Sequence, residues 1–381
     1  NTQWVNFPKT YVLDPSEEMF SEIGKLFLET QTEIYGTNHY YTADTFNENI
    51  PPTDDPEYLK GVSAKVYHSM SEVDPQAVWV MQGWMFYHER KFWHDPQLQA
   101  LLSAVPDDKM LILDLWSERF PVWSRTNAYY GKPWLWCMLQ NFGQNITLSG
   151  NATSVANDPA AALADSTSGR MSGIGLTPEG FVENPKGCTN TNKCYERTDL
   201  VKAWEALYSC IDELSGSDGY RYDIVDITRQ VLADYASVIQ QKFAADYKND
   251  DMEAFKANAE AFDALISDMD TLLATRKEFL LGVWLENAKA MGTTAEESAL
   301  YEKNARNLLG TWGNKDCKLF DYACKQWSGM MDGYYRQRWG LFFEDVLANW
   351  GHFDQNEFAQ KCKDYEWNWI SDTTCFPTEK S

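Results

Sequence analysis

Three short runs of nearly unbroken apolar residues, 77–81 (AVWVM), 110–115 (MLILDL) and 134–139 (WLWCML), constrain the first half of this chain more than any other feature. Each has the length of a strand and is hydrophobic at successive positions, the pattern of a strand covered on both faces. Such strands belong to parallel sheets, whose crossovers lay helices against the sheet. Stretches 55–70 and 96–105 between them have helical length, and alternation of strand, polar loop and helix is the α/β pattern. Polar or aromatic residues gather just past the strand ends: Gln82 and Trp84, Asp114 and Glu118, Asn141. In a (β/α)-barrel that edge carries the active site.

From about Asp199 the rhythm changes. Segments 222–247, 251–275, 295–309 and 333–350 place apolar residues at helical spacing with few glycines or prolines, which predicts helices. Ile224, Ile227, Val231 and Leu232 are expected to form one buried stripe. The turn-rich string 184–194 (NPKGCTNTNKC) marks the seam. The expected organisation is a (β/α)-barrel portion over 1–184, a linker over 185–198 and an all-α domain over 199–381.

Thirty-three basic against 56 acidic side chains give a formal charge of −23, which repels phosphates and argues against nucleic acid as a partner. No apolar run approaches the ~20 residues of a bilayer-spanning helix, so no membrane span is expected. Of eight cysteines, six fall in close pairs, 188/194, 317/324 and 362/375, the spacing of short-loop disulfides in an oxidising compartment. Cys137, inside an apolar run, is expected to be a buried free thiol. Two N-x-S/T sequons, at Asn145 and Asn151, add to the case for the secretory route. The amino terminus carries neither a charged n-region nor an apolar h-region, as in a mature product or fragment.

Carboxylates are the abundant reactive groups. The five histidines do not fall at zinc-ligand spacing, and no G-x-S-x-G, P-loop or G-x-G-x-x-G occurs. Sixteen Trp, 20 Tyr and 19 Phe can wall a sugar cleft, since pyranose C–H faces pack on aromatic rings while hydroxyls bond carboxylates and amides. Two glutamates lie in loops of the barrel half: Glu48 in 43–52 (ADTFNENIPP), where a proline pair stops regular structure, and Glu179 in 173–180 (GIGLTPEG). An asparagine directly before a catalytic acid is chemically sensible, because its amide reaches the sugar's 2-substituent while the carboxyl reaches the glycosidic oxygen. Asp114 and Glu118, also near a strand end, are expected to do structural work.

The strings 43–52, 77–86 (AVWVMQGWMF), 134–142 (WLWCMLQNF), 173–180 and 319–326 (LFDYACKQ), in this order, resemble the α-N-acetylglucosaminidases of glycoside hydrolase family 89. The resemblance implies removal of terminal non-reducing N-acetyl-α-D-glucosamine from heparan-sulfate-like glycans by a retaining two-carboxylate mechanism. Glu48 matches the general acid/base and Glu179 the nucleophile, and a retaining pair stands about 5–5.5 Å apart. Asn47 matches a sugar or acetamido ligand and Trp84 a pocket wall. Leu115, Cys137 and Asn141 match positions near the sugar, and Trp312 and Tyr322 match residues by which the helical half closes the site. No metal or organic cofactor is implied.

The resemblance begins after the family's small N-terminal domain and opening barrel strands, and it breaks again near 184–186. A barrel lacking its first strands has open edges. The expected partners are therefore a glycan, a companion chain or fragment supplying those strands, and a second copy of the chain. A non-catalytic carbohydrate-binding or structural glycoprotein is the alternative from another functional class. The expected location is lysosomal or secreted.

Overall fold

The computed structural model describes residues 13–15, 17–140, 151–178, 195–317, 321, 323 and 325–381. They divide into two compact units, one up to residue 140 together with 151–177, the other from 178 onward.

In the first unit, β1 (Tyr40–Thr42), β2 (Val78–Gln82), β3 (Met110–Asp114), β4 (Trp134–Gln140) and β5 (Met171–Pro178) form one sheet in sequence order. Neighbours are parallel, in the register Tyr40↔Val78, Trp79↔Met110 and Ile112↔Trp134. Helix α1 (Glu18–Tyr35) precedes β1, and α2 (Pro56–Val73) crosses from β1 to β2. A short α3 (Trp84–His88) and α4 (Asp95–Ser103) link β2 to β3, and α6 (Ala152–Ala164) precedes β5. Between β3 and β4 lies a single left-handed turn, α5 (Asn127–Tyr130).

Local chemistry explains these elements. Asp55 caps α2 by accepting from the Glu57 N–H, and Pro56 fills the first helical position, where no N–H is needed. Leu59, Val62, Val66 and Met70 then recur on one buried face. Along the strands burial alternates. Trp79, Met81, Met110, Ile112, Trp134 and Trp136 pack into the helix-side core, while Val78, Val80, Leu111, Leu113 and Leu135 are only half-buried. This corrects the expectation of equal cover on both faces, because these helices cover one side only. The outer strands leave Tyr40, Ile174 and Leu176 exposed, and α1 exposes Met19, Ile23, Leu26 and Phe27.

The second unit is helical: α7 (Arg197–Tyr208), α8 (Ile211–Leu214), α9 (Asp218–Lys248), α10 (Met252–Leu273), α11 (Leu281–Lys289), α12 (Ala295–Leu309), α13 (Gln337–Ala348) and α14 (Gln355–Ile370). Phe243 of α9 is ringed edge-on by Phe255, Phe262 and Phe343, with centroids at 5.8, 5.6 and 5.3 Å. The buried positions of α9 include Val225, Arg229, Gln230 and Asp234, whereas Ile224, Ile227, Val231 and Leu232 are half-buried. The predicted stripe is thus rotated, because buried polar partners occupy its centre: Arg229 bonds Asp226 and Gln326. A second buried network joins Arg338 to Asp321 (2.7 Å) and Glu366 (2.8 Å). No helix among the described residues is long and apolar enough to cross a membrane.

The 362/375 disulfide is not formed. Cys362 is fully buried on the inner face of α14, whereas Cys375 is a free thiol on exposed chain. Cys188, Cys194 and Cys324 lie outside the described residues. Cys137 is buried and free, as its apolar surroundings predicted.

Candidate active site

The loop following β1 is fixed before it reaches Glu48. Trp79 of β2 donates its indole N–H to the Ala43 carbonyl at 2.9 Å. Phe46 takes a left-handed conformation (φ 64°), which costs a bulky residue roughly 1–2 kcal/mol. The Asn49 N–H closes the turn on the Phe46 carbonyl at 3.1 Å, with Asn47 and Glu48 between them. The Glu48 carboxylate accepts from the Trp84 indole N–H at 2.8 Å. Asn47 Oδ1 is buried with no hydrogen-bond partner, so it is an acceptor that a ligand N–H or O–H would satisfy.

Trp84 reaches Glu48 because of the glycine before it. Gly83 donates to the Leu113 carbonyl at 2.8 Å, and a Cβ there would stand 2.9 Å from that oxygen. Only glycine lets the chain turn so tightly from β2 into α3. The Trp84 ring lies 6.0 Å from Trp116, which follows β3, and Tyr87 and Phe120 stack at 4.7 Å beside them. An aromatic floor of this kind suits the apolar face of a pyranose.

Asp44 shares the loop with Glu48. Its carboxyl retains solvent access but is crowded by protein, and desolvation, followed by the charge of Glu48, pushes its pKa up to about 6. Asp114 at the end of β3 is wholly buried and accepts backbone N–H groups from Val122 (3.0 Å) and Trp123 (2.8 Å). Burial outweighs those bonds and raises its pKa to about 6. Glu118 accepts the Leu139 N–H at 3.1 Å, and burial raises it to about 7. Both carboxyls are committed to backbone groups, and they hold the loop after β3 against β4.

Leu115 is half-buried, and its carbonyl accepts from Thr177 Oγ1 at 3.0 Å. The same hydroxyl lies 2.9 Å from the Met138 carbonyl, so Thr177 clamps the ends of β3, β4 and β5 together. Cys137 faces Gly175 of β5, where a Cβ would come within 2.9 Å of its sulfur. Burial, then the charges of Asp114 and Glu118, push this thiol up to about 12, so it stays protonated and is a poor nucleophile or metal ligand. Among the described residues no group of three His, Cys, Asp or Glu is placed to hold a metal ion.

The structure therefore places Asn47, Glu48, Trp84 and Leu115 past the carboxyl ends of β1, β2 and β3 and Cys137 in the middle of β4, with Glu48 and Trp84 in direct contact. Trp312 belongs to the second unit. It is half-buried in a left-handed conformation (φ 63°), its N–H on the Asn307 carbonyl at 2.7 Å. Asn151 caps α6 by accepting from Ser154, and its Nδ2 donates to the Glu118 carbonyl at 3.4 Å. Glu179, Asn141, Tyr322 and Asn145 lie outside the described residues. Sequence reasoning missed Asp44, Tyr87 and Trp116. Asp44 stands one helical turn's length before Glu48 in the same loop, and Trp116 sits just past a strand end, so both carried a positional signal.

The parallel sheet and the helical second unit agree with comparisons to known proteins. Residues 1–188 match the alpha-N-acetylglucosaminidase (NAGLU) tim-barrel domain, and residues 148–381 match the C-terminal domain of the same family. The chain belongs to the alpha-N-acetylglucosaminidase family. Its architecture is accordingly a TIM-barrel portion of five parallel strands followed by a helical C-terminal domain. It is 31% identical to human alpha-N-acetylglucosaminidase over 97% of its own length and 59% of the human enzyme's. Two solved structures of a family 89 glycoside hydrolase from Clostridium perfringens, in complex with PUGNAc and with 2-acetamido-1,2-dideoxynojirmycin, superpose with TM-score 0.76 at 26% identity. A third holds the Clostridium protein, with two glutamates replaced by glutamine, in complex with its substrate GlcNAc-alpha-1,4-galactose (25% identity, TM-score 0.76). The chain spans 59% of the human relative and 50% of the Clostridium chains, while 97% of the chain itself is covered in each match.

Proposed function

We propose that this chain carries the catalytic carboxylates of a retaining α-N-acetylglucosaminidase that releases terminal N-acetylglucosamine from α-linked, heparan-sulfate-like glycans. The observation that carries the reading is the Trp84–Glu48 hydrogen bond at the strand ends, with the unpartnered Asn47 oxygen beside it. Glu179 attacks the anomeric carbon while Glu48 protonates the leaving glycosidic oxygen, and a covalent glycosyl-enzyme forms. Glu48 then deprotonates water, which displaces Glu179 with net retention. Asn47 accepts the acetamido N–H, Trp84 walls the pocket, and Leu115, Cys137 and Asn141 support its base. Trp312 and Tyr322 are further proposed sugar-binding residues, and residues 199–381 are the proposed extent of the helical domain.

The Clostridium relative holds its substrate with two glutamates neutralised, which supports a two-carboxylate site and disfavours the binding-only alternative. Exposed Tyr40, Ile174, Leu176 and the apolar face of α1 support a companion segment against the outer strands. A secretory location is the matching proposal. Asn145 is the better glycan acceptor, because the amide of Asn151 is committed as a helix cap.

Glu48→Gln and Glu179→Gln should each lower hydrolysis of an aryl α-N-acetylglucosaminide by about 10²-fold or more. Proton NMR of the first-formed sugar should show the α anomer. Full activity in both variants, or inversion at the anomeric carbon, would overturn the assignment.

A further inference from the structure

We infer that the chain also carries an oxyanion pocket, apart from the proposed glycosidic site, that takes a tetrahedral sulfate or phosphate group. The cavity, about 510 Å³, lies between the start of α4 and the loop after β3 and is lined by Arg90, Trp93, His94, Asp95, Pro96 and Arg125. Two guanidinium groups and an imidazole facing one cavity stand out in a chain of net charge −23.

The donors there are underused. Arg90 forms no ion pair among the described residues. Arg125 donates only to backbone, to the Trp93 carbonyl at 3.3 Å and to the Phe86 carbonyl. Burial lowers the pKa of Arg125, and the like charge of Arg90 adds to this against the opposing pull of Tyr129, Asp95 and Tyr130, so an anion between the two guanidinium groups would offset their mutual repulsion. Trp93 is completely buried behind them, an apolar wall that lowers the local dielectric and strengthens an ionic contact. The amino terminus of α4 has no side-chain cap and adds its own positive end. The acidic group in the lining, Asp95, accepts from the Tyr130 hydroxyl at 2.7 Å and keeps its charge, but the two guanidinium groups outnumber it. The guanidinium donors of Arg90 and Arg125, with the positive end of α4 beside them, match a tetrahedral oxyanion better than a planar carboxylate, which a single guanidinium fork would satisfy.

The test is calorimetric titration of the whole chain with sodium sulfate at constant ionic strength against a chloride background. Parallel arms use inorganic phosphate, acetate, and the 6-sulfate and 6-phosphate esters of N-acetylglucosamine. One saturable site is expected, with acetate much weaker. Arg90→Gln should weaken sulfate about tenfold or more and Arg90→Glu should abolish binding, both with an unchanged unfolding midpoint. Arg221→Gln, on an exposed arginine outside the cavity, should bind as wild type does. Tighter binding of an ester than of the inorganic ion identifies a sugar-borne group, and equal binding a free ion. Absence of saturable binding, or wild-type binding by both Arg90 variants, overturns the proposal. The readout involves no hydrolysis, so its failure leaves the glycosidase reading standing, and failure of that reading leaves this one standing.

Discussion

Raising the pH from 5 to 8 should destabilise the barrel unit, and Glu118 should carry most of the effect. Burial lifts Glu118 from an ordinary 4.5 to about 7 and Asp114 from 3.8 to about 6. A carboxyl whose folded pKa is raised stabilises the fold fully below its unfolded pKa, and the contribution is lost as pH climbs through the folded value. The window is therefore about 4.5–7 for Glu118 and about 4–6 for Asp114. At about 1.4 kcal/mol per pH unit, the loss between pH 5 and 8 is about 3 kcal/mol for Glu118 and about 1 kcal/mol for Asp114. Together they lower the unfolding midpoint by roughly 10 °C for a unit of this size. Glu118→Gln keeps an acceptor for the Leu139 N–H but cannot ionise, so it should remove most of the pH slope. Thermal unfolding followed by near-ultraviolet circular dichroism at fixed ionic strength measures both. Greater stability of the wild type at pH 8, or an unaltered slope in Glu118→Gln, would refute the reasoning.

Trp84→Phe keeps the aromatic floor but deletes the donor to Glu48. A charge-assisted bond of about 1.5–3 kcal/mol is at stake, so kcat/KM should fall about tenfold or more, and an unchanged value would remove Trp84 from the machinery. Gly175→Ala drives a Cβ to 2.9 Å from the Cys137 sulfur and should cost about 1–3 kcal/mol. Adding Cys137→Ala should restore most of that loss in urea unfolding, and a purely additive double variant would show that the two do not meet. Arg338→Met removes the cation that pairs the buried carboxylates of Asp321 and Glu366 and should cost the helical unit about 3–5 kcal/mol. A change within about 0.5 kcal/mol would mean the site relaxes freely.

Elements that owe their character to local pattern were legible without coordinates. The runs at 77–81, 110–115 and 134–139 became β2, β3 and β4, and segment 295–309 became α12 with the same bounds. β1 and β5 were harder to read, because one spans three residues and the other carries two glycines, and neighbouring strands define both. The stripe on α9 was misread for a related reason. Hydrophobicity ranks Ile224 above Arg229, yet Arg229 is buried because Asp226 and Gln326 bond it. Cysteine spacing suggested a 362/375 bridge, but a helix face that turns Cys362 inward separates it from exposed Cys375.

In the site, residue type and loop position were enough to single out Glu48, Asn47 and Trp84 as candidates. Their relation was not readable: the Trp84 indole meets Glu48 only because β1 and β2 pair in one parallel register and Gly83 turns tightly against Leu113. The raised pKa values of Asp44, Asp114 and Glu118 likewise belong to the folded molecule. Sequence alone determined the parallel α/β half, the helical half and the family resemblance, because periodicity and motif strings are properties of adjacent residues. Tertiary structure decided which carboxyls are dry, which donors lack partners and which side chains touch, because desolvation and hydrogen bonding depend on residues far apart in the chain.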